Sequence, residues 1–214
     1  MSRVSFLVDG FNLYGSVVET FKRFSICTKW LDVKSLLSSY LHHIGRDAKL
    51  EEIYYFTAIP HYMKSYNPDK IKRHTDYVKC LESTGIIVNK GRFKEKKVFY
   101  KNSFCKVSLR KHEEKETDVA ISTKLFELLY LDKCDFCAIV SGDTDLLPAV
   151  RMCQANFNTK NIFFIIPYVR SHSKELKKVA PDTFKMNYKN YINYQFPSSV
   201  TLSCGTTIKK PDKW

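Results

Sequence analysis

Short apolar blocks alternate with stretches of helical periodicity along most of the chain. Residues 4–8 form an apolar block that predicts a buried strand, and the turn dipeptide Asp9-Gly10 ends it. Leu13, Val17, Val18 and Phe21 then recur at helical spacing, predicting a helix over 11–24 with Asn12 at its start. Residues 33–44 repeat the pattern through Val33, Leu36, Leu37, Tyr40, Leu41 and Ile44, predicting one helix stopped by Gly45. A strand over 50–58, a loop over 60–68, a helix over 69–84 closed by Gly85, and a strand from 86 running on toward Phe93 come next.

The second half continues the alternation. Thr117 reads as the N-cap of a helix over 117–131, with Val119, Ile121, Leu125, Leu128 and Leu129 packed inward. Residues 136–140 predict a strand buried on both faces, and 146–155 a helix that tolerates Pro148 in its first turn. A strand over 161–166, a helix over 173–179, an edge strand over 183–186 and a last helical turn over 188–194 complete the pattern. From 196 to 214 it dissolves into Ser, Thr, Gly, Pro and Lys, which predicts a poorly ordered tail. The alternation describes one α/β domain over 1–195, Rossmann-like, with a central, mostly parallel sheet and helices on both faces.

Residues 89–115 depart from this scheme. Ten are Lys or Arg and three are acidic, with Phe93, Phe99, Tyr100 and Phe104 interleaved. The stretch predicts a basic insert, a β-hairpin or extended loop whose expected paired parts are 92–93 and 98–100. The run Lys94 to Lys97 reads as either a solvated tip or an RNA contact. The whole chain carries +13 on 214 residues, which favours a polyanion partner, nucleic acid first. No apolar stretch is long enough to span a bilayer, and Asp9 interrupts the N-terminal apolar run too early for a secretory signal. A cytoplasmic protein with no membrane partner is expected. Seven scattered cysteines suit reduced, mostly buried thiols, and for Cys134 and Cys137 packing at a strand entry outweighs metal binding.

The chemistry lies at strand ends. Asp143 and Asp145, with the hydroxyls of Ser141 and Thr144, follow the 136–140 strand at once, where open α/β sheets bind ligands. Asp9 and Asn12 end the first strand, and Asp118 falls in the first turn of its helix. Each acid alone has an innocent explanation, as a turn former, a cap or a dipole partner. Together, at one sheet edge, they repel unless a hard cation binds, and an all-oxygen site suits Mg²⁺ or Mn²⁺.

The segments VDGFN (8–12), EKETDVAIS (114–122) and SGDTDLLP (141–148) resemble, in order, the signature blocks of the NYN domain. The likeness is to the LabA-like branch of that family, within the PIN-like nuclease superfamily, and covers residues 3–190. It implies a PIN-like fold and a metal-dependent ribonuclease in which Asp9, Asp118 and Asp143 hold the ion. Asn12 then braces the first acid, Asp145 is the second acid of its block, and Ser141 and Thr144 supply hydroxyls. Glu116 stands where an acid is common, and Leu146 where Phe is common.

The expected substrate is RNA, single-stranded in preference, with DNA an alternative. Arg92, Lys94, Lys96, Lys97, Lys101, Arg110 and Lys111 are the expected phosphate contacts. A homo-oligomer is compatible with the sequence. Two rivals remain: an RNA-binding regulatory protein with little turnover, and a phosphatase acting on small substrates.

Overall fold

The structure is a computed structural model that describes residues 1–102, 105–169 and 173–214; for 99–102 and 105–109 it describes the backbone alone. The chain runs β1 (Ser2–Asp9), α1 (Gly10–Phe24), α2 (Val33–Ser38), α3 (Leu41–Ile44), β2 (Ala48–Ala58), α4 (Pro68–Ser83), β3 (Ile87–Asn102) and β4 (Cys105–Lys115). It continues through α5 (Thr117–Tyr130), β5 (Phe136–Val140), α6 (Leu147–Asn156), β6 (Asn161–Ile166), α7 (Lys174–Val179), β7 (Phe184–Lys185) and α8 (Tyr188–Asn193). A small hairpin, β8 (Ser199–Thr201) with β9 (Thr207–Lys209), ends it.

Seven strands form one sheet in the order β4-β3-β2-β1-β5-β6-β7. All neighbours are parallel except β3 and β4. Strand order reverses between β1 and β5, so the crevice at their carboxyl ends is the switch point where such sheets bind ligands. Alternation along β1 sorts its side chains. Val4, Phe6 and Val8 enter the core shared with α1, α2 and α4, while Leu7 enters the core shared with α5 and α6. Asp9 has the parity of Leu7 and so emerges on the α5 side.

Both layers are tied down at their edges. Arg3 donates through Nε (3.2 Å) and Nη2 (2.8 Å) to the two carboxylate oxygens of Asp135, fastening the start of β1 to the entry of β5. This fork holds the Asp135 carboxyl well below its ordinary range. Gly10 begins α1 against β2. A Cβ there would lie 2.5 Å from the Phe56 carbonyl oxygen and 2.7 Å from the Tyr55 ring, so no side chain fits.

The structure departs from the sequence expectations in five places. Val119, expected to pack inward from α5, is 70 % exposed. The helix expected over 33–44 breaks into α2 and α3, because the Ser39 hydroxyl donates to the Leu36 carbonyl (2.7 Å) and tightens the turn. Thr117 lies inside α5 rather than capping it. The cap is Glu116, at φ +80° and without a side-chain cap bond. The arm is paired from Arg92↔Lys115 out to Asn102↔Cys105, so Lys94 to Lys97 sit within a strand rather than at a tip; residues 103–104 lie outside the described residues. The tail over 196–214 is folded. Phe196 and Ile208 are buried, and the Trp214 ring packs 6.0 Å from Trp30 and 5.6 Å from Tyr77. A few well-spaced apolar side chains are enough to dock a segment whose composition is otherwise that of a loop.

No helix among the described residues is long and apolar enough to cross a membrane. Cys134 and Cys137 are both buried in the core against α5 and α6.

Candidate active site

Asp9 is the anchor, 6 % exposed at the last position of β1. Its Oδ1 accepts the Asn12 backbone N–H (2.9 Å), capping α1, and its Oδ2 accepts the Ser141 hydroxyl (3.0 Å). Ser141 Oγ in turn accepts the Asp143 N–H (3.1 Å), and the Asn12 side-chain oxygen accepts the Gly142 N–H (3.2 Å). Two of these four bonds, Ser141 to Asp9 and Gly142 to Asn12, knit the β1–α1 turn to the β5–α6 turn across the switch point. Asp143 Oδ1 accepts the Asp145 N–H (3.0 Å), capping the single 3-10 turn Thr144–Leu146 that holds Thr144 and the exposed Asp145. Capping and site-building are therefore the same bonds here. Asp9 and Asp143 are thus helix and turn caps, as their positions in the sequence suggest.

Asp118 enters from the first turn of α5. Burial raises its pKa first, and the charges of Asp143, Asp9 and Asp145 raise it further. Asp9 is raised by burial and by Asp143, against the lowering effect of its hydrogen bonds. The acids from three separate segments thus feel one another.

A fifth acid joins them, one that the sequence patterns do not single out. Glu114, at the end of β4, is raised by burial and by the charges of Asp9 and Asp118, and its Oε1 accepts the Thr117 hydroxyl. Glu116, which the family pattern points to, turns away and pairs with Arg92 (2.7 Å). Period-two alternation was the available signal: Glu114 and Glu116 share a parity, but the strand ends at Lys115 and the left-handed backbone at Glu116 redirects it.

None of these five acids, Asp9, Glu114, Asp118, Asp143 and Asp145, makes an ion pair with a basic side chain among the described residues. In a protein of net charge +13, that is a concentrated excess of negative charge. The donor set is all oxygen, which fits a hard divalent cation. No three of these groups stand close enough, among the described residues, to cage one ion directly. Mg²⁺ needs no such cage, since it binds through one or two carboxylates and keeps several waters.

The basic arm rises from this edge. Eleven antiparallel pairs, Arg92↔Lys115 to Asn102↔Cys105, carry it about 33 Å. Alternation divides its residues. Arg92, Lys94, Lys96, Lys111, Glu113 and Lys115 share one face, and Phe93, Glu95, Lys97, Arg110, His112 and Glu114 the other. The second face meets the site: Phe93 packs edge-on against Phe11 (5.7 Å), and His112 stacks on Tyr62 (3.8 Å). Arg92, Lys96, Lys111 and Arg110 each have an acidic partner at 2.7–3.8 Å, whereas Lys94 and Lys97 have none among the described residues. The Lys101 side chain lies outside the described residues.

Ser141 is the hinge of the network, since it donates to Asp9 and accepts from Asp143. Ser141→Ala is expected to lower the activity of the site by about 10- to 100-fold, the usual cost of losing a group that orients charged ligands. Kinetics at saturating metal check this, and an unchanged rate would mean the bridge orients nothing that matters.

The profile of the NYN domain matches residues 3–187. The chain is also similar in structure to a protein of unknown function from Vibrio parahaemolyticus, with a TM-score of 0.54 at 16% identity, over 91% of this chain and 96% of that one. That likeness concerns the fold alone. Among curated proteins nothing matches the chain.

Proposed function

The chain belongs to the NYN domain family, within the PIN-like nucleases, and from that premise we propose that it is a metal-dependent ribonuclease cutting RNA phosphodiester bonds by hydrolysis. The observation that carries this reading is the cluster of five acids at the switch point, none in an ion pair among the described residues, in a chain whose charge otherwise attracts polyanions. Of Asp9, Asp118 and Asp143, one or two would hold Mg²⁺ or Mn²⁺ directly and the rest through the waters the ion keeps. Such an ion supplies a water of lowered pKa and charge to stabilise the leaving oxygen.

The protein's own groups do the rest. Asn12 and Ser141 fix the Asp9 carboxylate and favour its charged form. Asp143 is held through Oδ1 by the turn it caps, so binding through its other oxygen would carry no large entropic cost. Glu114, with its raised pKa, is suited to exchanging a proton with the reacting oxygens. The arm face that carries Lys97 and Arg110 leads a strand's phosphates to this mouth.

Labelled single-stranded RNA tests the reading. Cleavage is expected with Mn²⁺ or Mg²⁺ and none in EDTA. Because burial and neighbouring acids raise Asp9, Asp118 and Glu114, the rate should fall on acidification at a pH above the ordinary carboxylate value of about 4. Cleavage that survives chelation would refute metal dependence. One observation favours a rival, an RNA-binding regulator with little turnover: no three-carboxylate cage is present among the described residues. Tight RNA binding with no product in any metal would decide for it.

A further inference from the structure

We propose that the cavity adjoining the acid cluster is a nucleotide pocket, taking one nucleobase together with its phosphate. Resting on the ribonuclease reading, it would hold the residue beside the bond to be cut and so set base preference. The cavity measures about 440 Å³, within the range of about 300–1,000 Å³ usual for small-molecule sites. It is lined by residues at the carboxyl ends of β1 and β2, Gly10 and Phe11 after the first and Thr57, Ala58 and Pro60 at the second. Gly10, which lines it, directly follows Asp9, and the Asp9 charge adds to burial in raising the pKa of Tyr55 in its wall.

Its chemistry is divided in the way a nucleotide is. Phe11, Tyr14, Tyr62 and Phe93 offer aromatic surfaces, with Tyr62 and Phe93 at 5.2 Å meeting edge to face. Every base has a π-face, and stacking on such rings is its common mode of capture. Lys29, Lys70, Arg73 and Lys213 line the same cavity, and no Asp or Glu side chain among the described residues does. None of these four cations is in an ion pair among the described residues. Four cations with no ion pair among the described residues, set around an aromatic chamber, call for an anion with a flat apolar part.

Polar groups are present to read an edge. His74 is half-buried, with Nε2 3.2 Å from the Thr57 hydroxyl. Burial and then the Lys70 charge depress its pKa to about 4, so it is neutral and can both donate and accept. Trp214 closes one side.

Trp214 also supplies the readout, since the chain has two tryptophans and the other, Trp30, is fully buried. The four nucleoside 5′-monophosphates, a tetranucleotide RNA and inorganic phosphate are titrated into wild-type protein in EDTA, where cleavage does not intrude. Saturable quenching of tryptophan emission by at least one monophosphate is expected, with no comparable response to inorganic phosphate. Tyr14→Ala and Lys70→Ala/Arg73→Ala, all at exposed or half-buried positions, should each weaken binding about tenfold or more. Equilibrium dialysis with labelled nucleotide gives the same constants without relying on Trp214. A tetranucleotide that binds well above the best monophosphate makes the ligand a residue of a strand; equal affinities make it a free nucleotide. The proposal is overturned if no monophosphate binds saturably, if phosphate alone binds equally well, or if neither variant changes the affinity. Cleavage plays no part in these measurements, so a failed ribonuclease reading leaves the result intact, and the reverse.

Discussion

The Asp143→Asn protein should fold, melt in EDTA at pH 7 no lower than wild type, and lose RNA cleavage. The fold survives because the cap survives: an Asn side-chain oxygen can still accept the Asp145 N–H that Asp143 Oδ1 accepts now. The stability follows from linkage. Burial and neighbouring acids hold the folded-state pKa of Asp9 and Asp118 above the unfolded value. The stability these two groups contribute is therefore present below about pH 4 and lost as pH rises through their folded pKa. At pH 7 they carry charge at a cost, and Asp143 is among the sources of that cost for both. Removing its charge relieves them. The activity falls because a carboxylate that would hold the ion is gone, a loss of about 3 kcal/mol or more and so roughly 100-fold or more in rate. Mn²⁺ should raise the melting temperature of the wild type at pH 7 and raise that of the variant less. Full activity in the purified variant, or an equal response to Mn²⁺, would remove Asp143 from the site.

Much of this is legible in the amino-acid order, for a simple reason. Strands buried on both faces read as uniform apolar blocks, so the residues that end them stand out. Asp9 after residues 4–8, and Asp143 after 136–140, are visible as abrupt changes of character. Asp118 is visible because helix periodicity locates the first turn. What stays hidden depends on pairing register, which composition does not carry. Glu114 lies inside a stretch that reads as basic, and only the pairing Phe93↔Glu114 turns it toward the acids. The nucleotide-sized cavity is equally invisible in one dimension, since its walls come from α1, β2, β3, α4, the segments 29–31 and 60–63, and residues 213–214. The tail misleads because docking is decided by a few side chains, Phe196, Ile208 and Trp214, rather than by average polarity.

Register also turns a general statement about a basic arm into a directional one. Composition makes its cations equivalent; the hairpin does not. Lys97 and Arg110 are cross-strand partners on the face that carries Glu114 to the acids and Phe93 to the cavity, while Lys94 and Lys96 point to the opposite face. If a strand runs from the acid mouth along the arm, its phosphates meet the first pair. Lys97→Glu with Arg110→Glu should then weaken RNA binding by about tenfold or more at about 0.1 M salt, and lower the salt slope by about 0.7 for each phosphate left unneutralised. Lys94→Glu with Lys96→Glu, equal in charge change, should have a clearly smaller effect on both. All four positions are exposed, so neither double variant threatens the fold. Fluorescence anisotropy across a salt series separates the cases. Equal losses from the two pairs would mean that the arm attracts RNA only as a diffuse charge, because a field that decays over roughly 10 Å scarcely distinguishes the two faces of one hairpin. Direct phosphate contact does distinguish them, and the difference between the two variants measures it.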